Sequence, residues 1–238
     1  VRAGAAAWQA VGVPAGTWTE VDAYFEGALL GHDDILDEVL GRSREAGLPP
    51  ISVSPLQGKL LHLLAKTVRA TRILEVGTLG GYSSIWMARA LPAGGRLVTL
   101  EIDPHHAEVA TANVARAGLD DVVEVRIGPA ADSLARMAAE GEAPWDLVFI
   151  DADKASNAEY FGWAMRLTRS GSLVVVDNVV RQGDVADTAS DDPAVIGVCR
   201  LVDVMAAEPR IEATAVQTVG SKGYDGFIVG LVVEPAGS

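Results

Sequence analysis

From Arg72 onward, short apolar runs alternate with segments whose apolar residues recur every three or four positions. The first pattern predicts buried strands and the second predicts amphipathic helices. Strands are expected at 72–76, 96–101, 122–127, 146–150 and 172–176, each followed by a helix, at 82–91, 103–117, 129–139, 155–167 and 193–207. Five such alternations imply parallel crossover units with helices on both faces of a sheet. Two last apolar runs, 211–219 and 226–233, are joined by little more than SKGYD, which predicts an antiparallel hairpin. The expected fold is therefore a single α/β domain with a mostly parallel seven-stranded sheet and a C-terminal antiparallel hairpin.

Ahead of this core the pattern is helical. Thr17 or Thr19 is suited to cap a helix carrying Val21, Tyr24, Phe25 and Leu29 on one face, with Gly31 as its stop. Asp33 or Asp34 caps a second helix, with Ile35, Leu36, Val39 and Leu40 on one side. After Leu48-Pro49-Pro50, Ser54 caps a third, and Pro55 fits its first turn. Residues 1–16 are rich in Ala and Gly and read as a loosely held arm. The chain thus divides into an N-terminal arm with helices, 1–50, and a core, 51–238, that together make one domain. The N-terminal helices and the polar loop 181–192 are expected to shape a ligand pocket.

Composition narrows the function. The chain has 238 residues, 49% of them hydrophobic, enough for a substantial core. A net charge of −13 argues against nucleic acid or an anionic membrane surface as the main partner. The single cysteine, Cys199, excludes an intramolecular disulfide, so the cytoplasm is the default location. No apolar run reaches the length of a membrane span. The N-terminus has no firm apolar core and does not read as a signal peptide.

Candidate chemistry gathers where the predicted strands end. The stretch RILEVGTLGG runs from a buried strand into a glycine turn and then a helix start. Glycines there let a ligand approach the backbone, and the helix offers free N–H groups. The turn lacks the second glycine of the dinucleotide motif G-x-G-x-x-G, because position 79 is Leu79. Glu75 precedes Gly77, and a carboxylate there favours a cationic or hydroxyl-bearing ligand over a pyrophosphate. Glu101 ends the second strand, where an acid accepts ribose hydroxyls; together with the glycine turn it suits an adenosyl ligand without phosphates. Asp151 ends the fourth strand, and Asp177 with Asn178 ends the fifth. Two carboxylates and an amide are hard oxygen donors suited to Mg²⁺, Ca²⁺ or Mn²⁺, although each alone is also a common cap or turn residue. Lys154 is a candidate general base near such a cation, or a surface lysine in a first helical turn. His32, His62, His105 and His106 lack ligand spacing and read as helix-face residues, and Trp86, Trp145 and Trp163 read as packing.

EVGTLGGYSS, LEID, GPA, FIDADK and VVVDNVV, in that order, resemble the cation-dependent small-molecule O-methyltransferases of the caffeoyl-CoA and catechol type, and QTVGSKGYDGF resembles their bacterial branch. The likeness runs from about Ser52 to Val233. It implies a Rossmann-like methyltransferase fold and S-adenosylmethionine as methyl donor. It implies donor contacts at Val53, Glu75, Gly77, Thr78, Ser83, Glu101, Ala130 and Asp151. It also implies a cation, Mg²⁺ before Ca²⁺ or Mn²⁺, on Asp151, Asp177 and Asn178, and a catalytic role for Lys154 with Asp151. The implied acceptor is a phenolic small molecule, such as a catechol, flavonoid or hydroxycinnamate, and the implied assembly is a homodimer. One departure is Ile51, where plant members carry threonine; the plant substrate-binding insertion is not evident either. Against this stands a non-catalytic nucleotide-binding module, favoured only if Asp151, Asp177 and Asn178 do not converge. An NAD-dependent oxidoreductase is disfavoured by Leu79.

Overall fold

The computed structural model describes residues 14–234, so most of the expected N-terminal arm lies outside the described residues. Seven strands form one sheet: β1 (Arg72–Val76), β2 (Arg96–Glu101), β3 (Val123–Ile127), β4 (Trp145–Ile150), β5 (Thr168–Asp177), β6 (Ile211–Gly220) and β7 (Gly223–Val232). Their order is β3-β2-β1-β4-β5-β7-β6. The first five are parallel, and β7 runs antiparallel to both β5 and β6. The mostly parallel sheet with a terminal antiparallel hairpin is therefore as expected. The hairpin link is shorter than predicted: Gly220 pairs with Gly223, leaving Ser221 and Lys222 as the turn. β7 absorbs Tyr224 and Asp225, because a two-residue turn keeps the ladder of both long strands in register.

Among the described residues eight α-helices accompany the sheet: α1 (Ala15–Phe25), α2 (Asp34–Glu45), α3 (Pro55–Thr67), α4 (Tyr82–Ala88), α5 (Pro104–Arg116), α6 (Ala130–Ala139), α7 (Asn157–Leu167) and α8 (Pro193–Ala207). Their starts follow local chemistry. The Asp33 side chain accepts from Leu36 N–H at 3.1 Å, Ser54 from Gln57 N–H at 3.2 Å, and Asp103 from His105 N–H at 2.8 Å. Pro55 and Pro104 sit in first turns that need no donor there.

Strand alternation divides the core in two. Leu74, Val76, Val148, Ile150, Val174 and Val176 pack with α6, α7 and α8 on one face. Ile73, Leu147, Phe149, Leu173 and Val175 pack with α2, α3 and α4 on the other. Trp86 and Trp145 are buried as expected. α1 differs from expectation. Neither Thr17 nor Thr19 caps it; it begins after Pro14 and runs on into a π-helical turn, Glu26–Leu30. Val21, Tyr24, Phe25 and Leu29, which share its apolar face, are exposed. Among the described residues, no helix is long and apolar enough to cross a membrane.

The chain order reverses direction between β1 and β4, which opens a crevice at the carboxyl ends of these neighbours. There the two strands leave the sheet nearly touching. Asp151 N–H donates to Val76 O at 2.8 Å, and on the other side of β1 Gly77 N–H donates to Leu100 O of β2 at 2.9 Å. A Cβ on Gly77 would lie 2.2 Å from Asp151 O, and Gly77 has φ +98°. Both facts require glycine. Gly77→Ala is therefore expected to lower unfolding free energy by roughly 2–4 kcal/mol, read by urea denaturation, because steric overlap and left-handed strain add.

Candidate active site

The rim above β1, β2, β4 and β5 encloses a cavity of about 700 Å³. The glycine turn forms one wall: Gly77, Thr78 and Leu79, leading into Gly81 (φ +80°), the residue before α4. The turn is held in shape by Glu101. Its Oε2 accepts from Thr78 N–H at 3.2 Å and Leu79 N–H at 2.8 Å, and its Oε1 accepts from Asp103 N–H at 3.0 Å. Glu101 also lines the cavity, and a carboxylate has further lone pairs for a ligand hydroxyl. His106, read from sequence as a helix-face residue, lines the cavity as well, with Nδ1 3.8 Å from Glu101 Oε1.

Glu75 is placed elsewhere. It is 0% exposed and does not line the cavity; its carboxylate accepts from Ser83 Oγ at 2.6 Å and from Ser84 Oγ. The period of two along β1 explains this. Val76 shares the face of Leu74, whereas Glu75 shares the face of Ile73 and so points beneath α4. Burial pushes its carboxyl up to about 7 despite the serine hydroxyls.

Thr78, Ser83, Ala130, Asp151, Lys154 and Asn178 line the same cavity, with Val53 from the segment before α3. Lys154 Nζ donates to Asp151 Oδ1 at 2.7 Å, and only 10% of the lysine side chain is exposed. Across the rim, Asp177 is 4% exposed. Its Oδ1 accepts from Asn178 N–H at 2.8 Å, and its Oδ2 accepts from Gln57 Nε2 at 2.7 Å. Burial, and then the negative charge of Asp151, push the Asp177 carboxyl up to about 7. Sequence reasoning missed Gln57. Its only signal was a place in the first turn of α3, which says nothing of a partner 120 residues away.

Asp177 and Asn178 open onto a second cavity, of about 520 Å³. Ile51, Ser52, Val53, Asn178 and Arg181 line both cavities, so the two meet along this seam. The walls of the second cavity follow expectation in part, with Leu56, Gln57 and Leu60 of α3 among them. The segment Pro50–Leu60 and the β6–β7 turn supply most of them. From α1 only Asp22 contributes, and from the loop 181–192 only Arg181. Asp22 arrives because its carboxylate accepts from Ser221 N–H at 2.6 Å, which ties α1 to the hairpin turn.

Among the described residues, no group of three or more His, Cys, Asp or Glu side chains is placed to hold a metal ion. The seam instead offers two carboxylates and an amide oxygen. This donor set fits a hard divalent cation: its carboxylates repel each other, and Asp177 is too buried for water to screen it.

A family model described as O-methyltransferase matches residues 28–226 of this chain. The chain is similar to a catechol O-methyltransferase of Niastella koreensis, 51% identical over 212 residues, covering 89% of this chain and 96% of the relative. Its structure is similar to that of an O-methyltransferase from Bacillus cereus solved in complex with SAH, with TM-score 0.91 and 53% identity over 92% of this chain and 100% of that one. It is also similar to the O-methyltransferase TomG from Streptomyces achromogenes, involved in tomaymycin synthesis and solved in complex with SAM, with TM-score 0.90 and 48% identity over 93% of this chain and 100% of that one.

Glu75 provides a pH test. A carboxyl raised from its ordinary value favours the fold fully below about 4.5, and that contribution is lost as pH rises through about 7. Glu75→Gln stays neutral throughout. In the ligand-free protein its unfolding free energy relative to wild type is expected to improve by up to roughly 3 kcal/mol between pH 5 and pH 8. Urea titrations at both pH values check this, and a pH-independent difference would refute the buried-carboxyl account.

Proposed function

The chain belongs to the O-methyltransferase family, and we propose that it transfers a methyl group from S-adenosylmethionine to a hydroxyl of a catechol-like phenol with the help of a divalent cation. The observation that carries this reading is the seam between the two cavities, with Asp151 on one side, Asp177 on the other and Asn178 on both. A donor in the first cavity and an acceptor in the second would meet there. The SAM-bound TomG and the SAH-bound Bacillus cereus structure support the donor, and the Niastella koreensis relative's name supports a catechol acceptor.

The residues then take distinct roles. Glu101 accepts the donor's ribose hydroxyls while keeping the turn closed on its own backbone. Val53, Gly77, Thr78 and Ala130 line the donor cavity, and Ser83 is held in its wall by Glu75. Glu75 thus acts on the donor only indirectly. Asp151, Asp177 and Asn178 hold the cation, Mg²⁺ by their oxygen chemistry, with Ca²⁺ or Mn²⁺ also compatible. What a bound cation supplies there is Lewis acidity toward a phenolic oxygen. Lys154 handles the proton at Nζ, beside Asp151 and largely shielded from water. Gln57 fixes one Asp177 oxygen and so orients the carboxylate. Burial of both reactants in joined cavities would hold oxygen and methyl carbon at reacting distance, the largest gain available to a reaction with little other chemistry.

The same reading takes the protein as a cytoplasmic homodimer of one-domain chains. Exposed apolar residues on α1 (Tyr24), on the π-helical turn after it (Leu29) and on the edge strand β6 (Val216 and Val219) support self-association. Ion pairs from Asp33 to Arg89 and from Glu38 to Arg116 support counting 14–50 with the core.

Labelled S-adenosylmethionine with a catechol panel tests the reaction. Turnover is expected with Mg²⁺ and is expected to vanish with EDTA; transfer that survives EDTA discards the cation. Asp177→Asn is expected to lose cation-dependent turnover while still binding donor by calorimetry. Lys154→Met is expected to lower kcat by about 10²-fold or more with little change in donor affinity. An unaltered kcat would remove the lysine from proton handling.

A further inference from the structure

The second cavity mixes apolar walls, Ile51, Val53, Leu60, Val219 and Phe227, with three carboxylates, Asp22, Asp177 and Asp225, and it carries two cations, Arg181 and Lys222. Neither is answered by an acidic side chain among the described ion pairs. Lys222 Nζ donates to Pro50 O at 2.9 Å, a neutral acceptor that leaves two ammonium donors. Lys222 is an exposed residue of the hairpin turn, and desolvation holds its pKa below the usual lysine value. Arg181 Nε is buried without a hydrogen-bond partner among the described residues.

Arg181 is also aimed by a costly piece of backbone. Asn178, Arg181 and Gln182 have φ +54°, +53° and +58°, although none is glycine. Asp225 holds this bend: its Oδ1 accepts from Val180 N–H at 3.0 Å, Arg181 N–H at 3.1 Å and Gly226 N–H at 2.9 Å. The two carboxylates that line this cavity outside the seam are thus turned toward backbone donors, Asp225 toward the bend and Asp22 toward Ser221. Strain of this kind persists where the surroundings over-determine it, and it is concentrated at ligand sites.

We propose that Arg181 and Lys222 form an anion-binding pair in the second cavity, so that the natural acceptor is a catechol carrying a carboxylate on its ring or side chain. The proposal rests on the methyltransferase reading for its catechol part and on the two cations for its carboxylate part. Lys222 lines only the second cavity, which assigns the anion to the acceptor rather than to the donor. A carboxylate bound there would receive charge-assisted hydrogen bonds, which a neutral analogue does not reproduce.

The test compares protocatechuate with its neutral carboxamide, as kcat/KM with Mg²⁺ and S-adenosylmethionine and as calorimetric affinity with Mg²⁺ and S-adenosylhomocysteine. Wild type is expected to favour protocatechuate by about tenfold or more in both readouts. Lys222→Met and Arg181→Met are each expected to remove most of that preference, and Lys222→Arg to keep it. Three results overturn the proposal: no preference in wild type, equal losses for both acceptors in the variants, or an Arg181→Met variant that loses donor affinity while its acceptor ratio stands. Binding selectivity without any methyl transfer would sustain the anion pair and bring down the reaction instead.

Discussion

The close approach of β1 and β4 at the reversal of strand order is the constraint on which the site depends. One hydrogen bond carries the β1–β4 ladder past the strand ends, from Asp151 N–H to Val76 O, and a second, from Gly77 N–H to Leu100 O, ties the turn to β2. The glycine turn, Asp151 and, through it, Lys154 are therefore fixed to the rigid middle of the sheet rather than to loops. Gly77 is at once a wall of the first cavity and the residue whose missing Cβ lets the strands meet. A side chain there would disturb packing and ligand access together, since one backbone contact sets both.

Four carboxylates near this point have different roles, and environment separates them. Glu75 is enclosed beneath α4 and bonded to two serines, which makes it a support of the wall. Glu101 is bonded to three backbone N–H groups yet still faces the cavity, so it shapes the turn and remains open to a ligand. Asp151 and Asp177 face each other's charge across the seam, with Lys154 on one and Gln57 on the other. Such a pair holds surplus negative charge in a place that water screens poorly, the condition under which a bound cation lowers the free energy most.

The second cavity is built from parts distant in the chain. The segment before α3, the bend after β5 and the β6–β7 turn meet there, and α1 is drawn in by the hydrogen bond from Ser221 to Asp22. The first cavity is built on strand ends and the second mostly on connections. Connections tolerate substitution more readily than strand ends, so the second cavity is the one whose shape is freer to change.

The sequence by itself determined the sheet, because alternating strand and helix periods with short links leave few topologies open. It also placed Gly77, Glu101, Asp151, Asp177 and Asn178 at strand ends, since in a parallel sheet such residues must share one rim. It carried the direction of Glu75 as well, in the period of two that sets Ile73 and Glu75 on the same face. Only the tertiary structure decided that Gln57 meets Asp177, that Tyr24 and Leu29 stay exposed, and that Arg181 and Lys222 line one cavity. Those outcomes depend on how connections of irregular backbone fold over a finished sheet. Local periodicity encodes which face of an element is buried, and it says nothing of which distant loop lies across it.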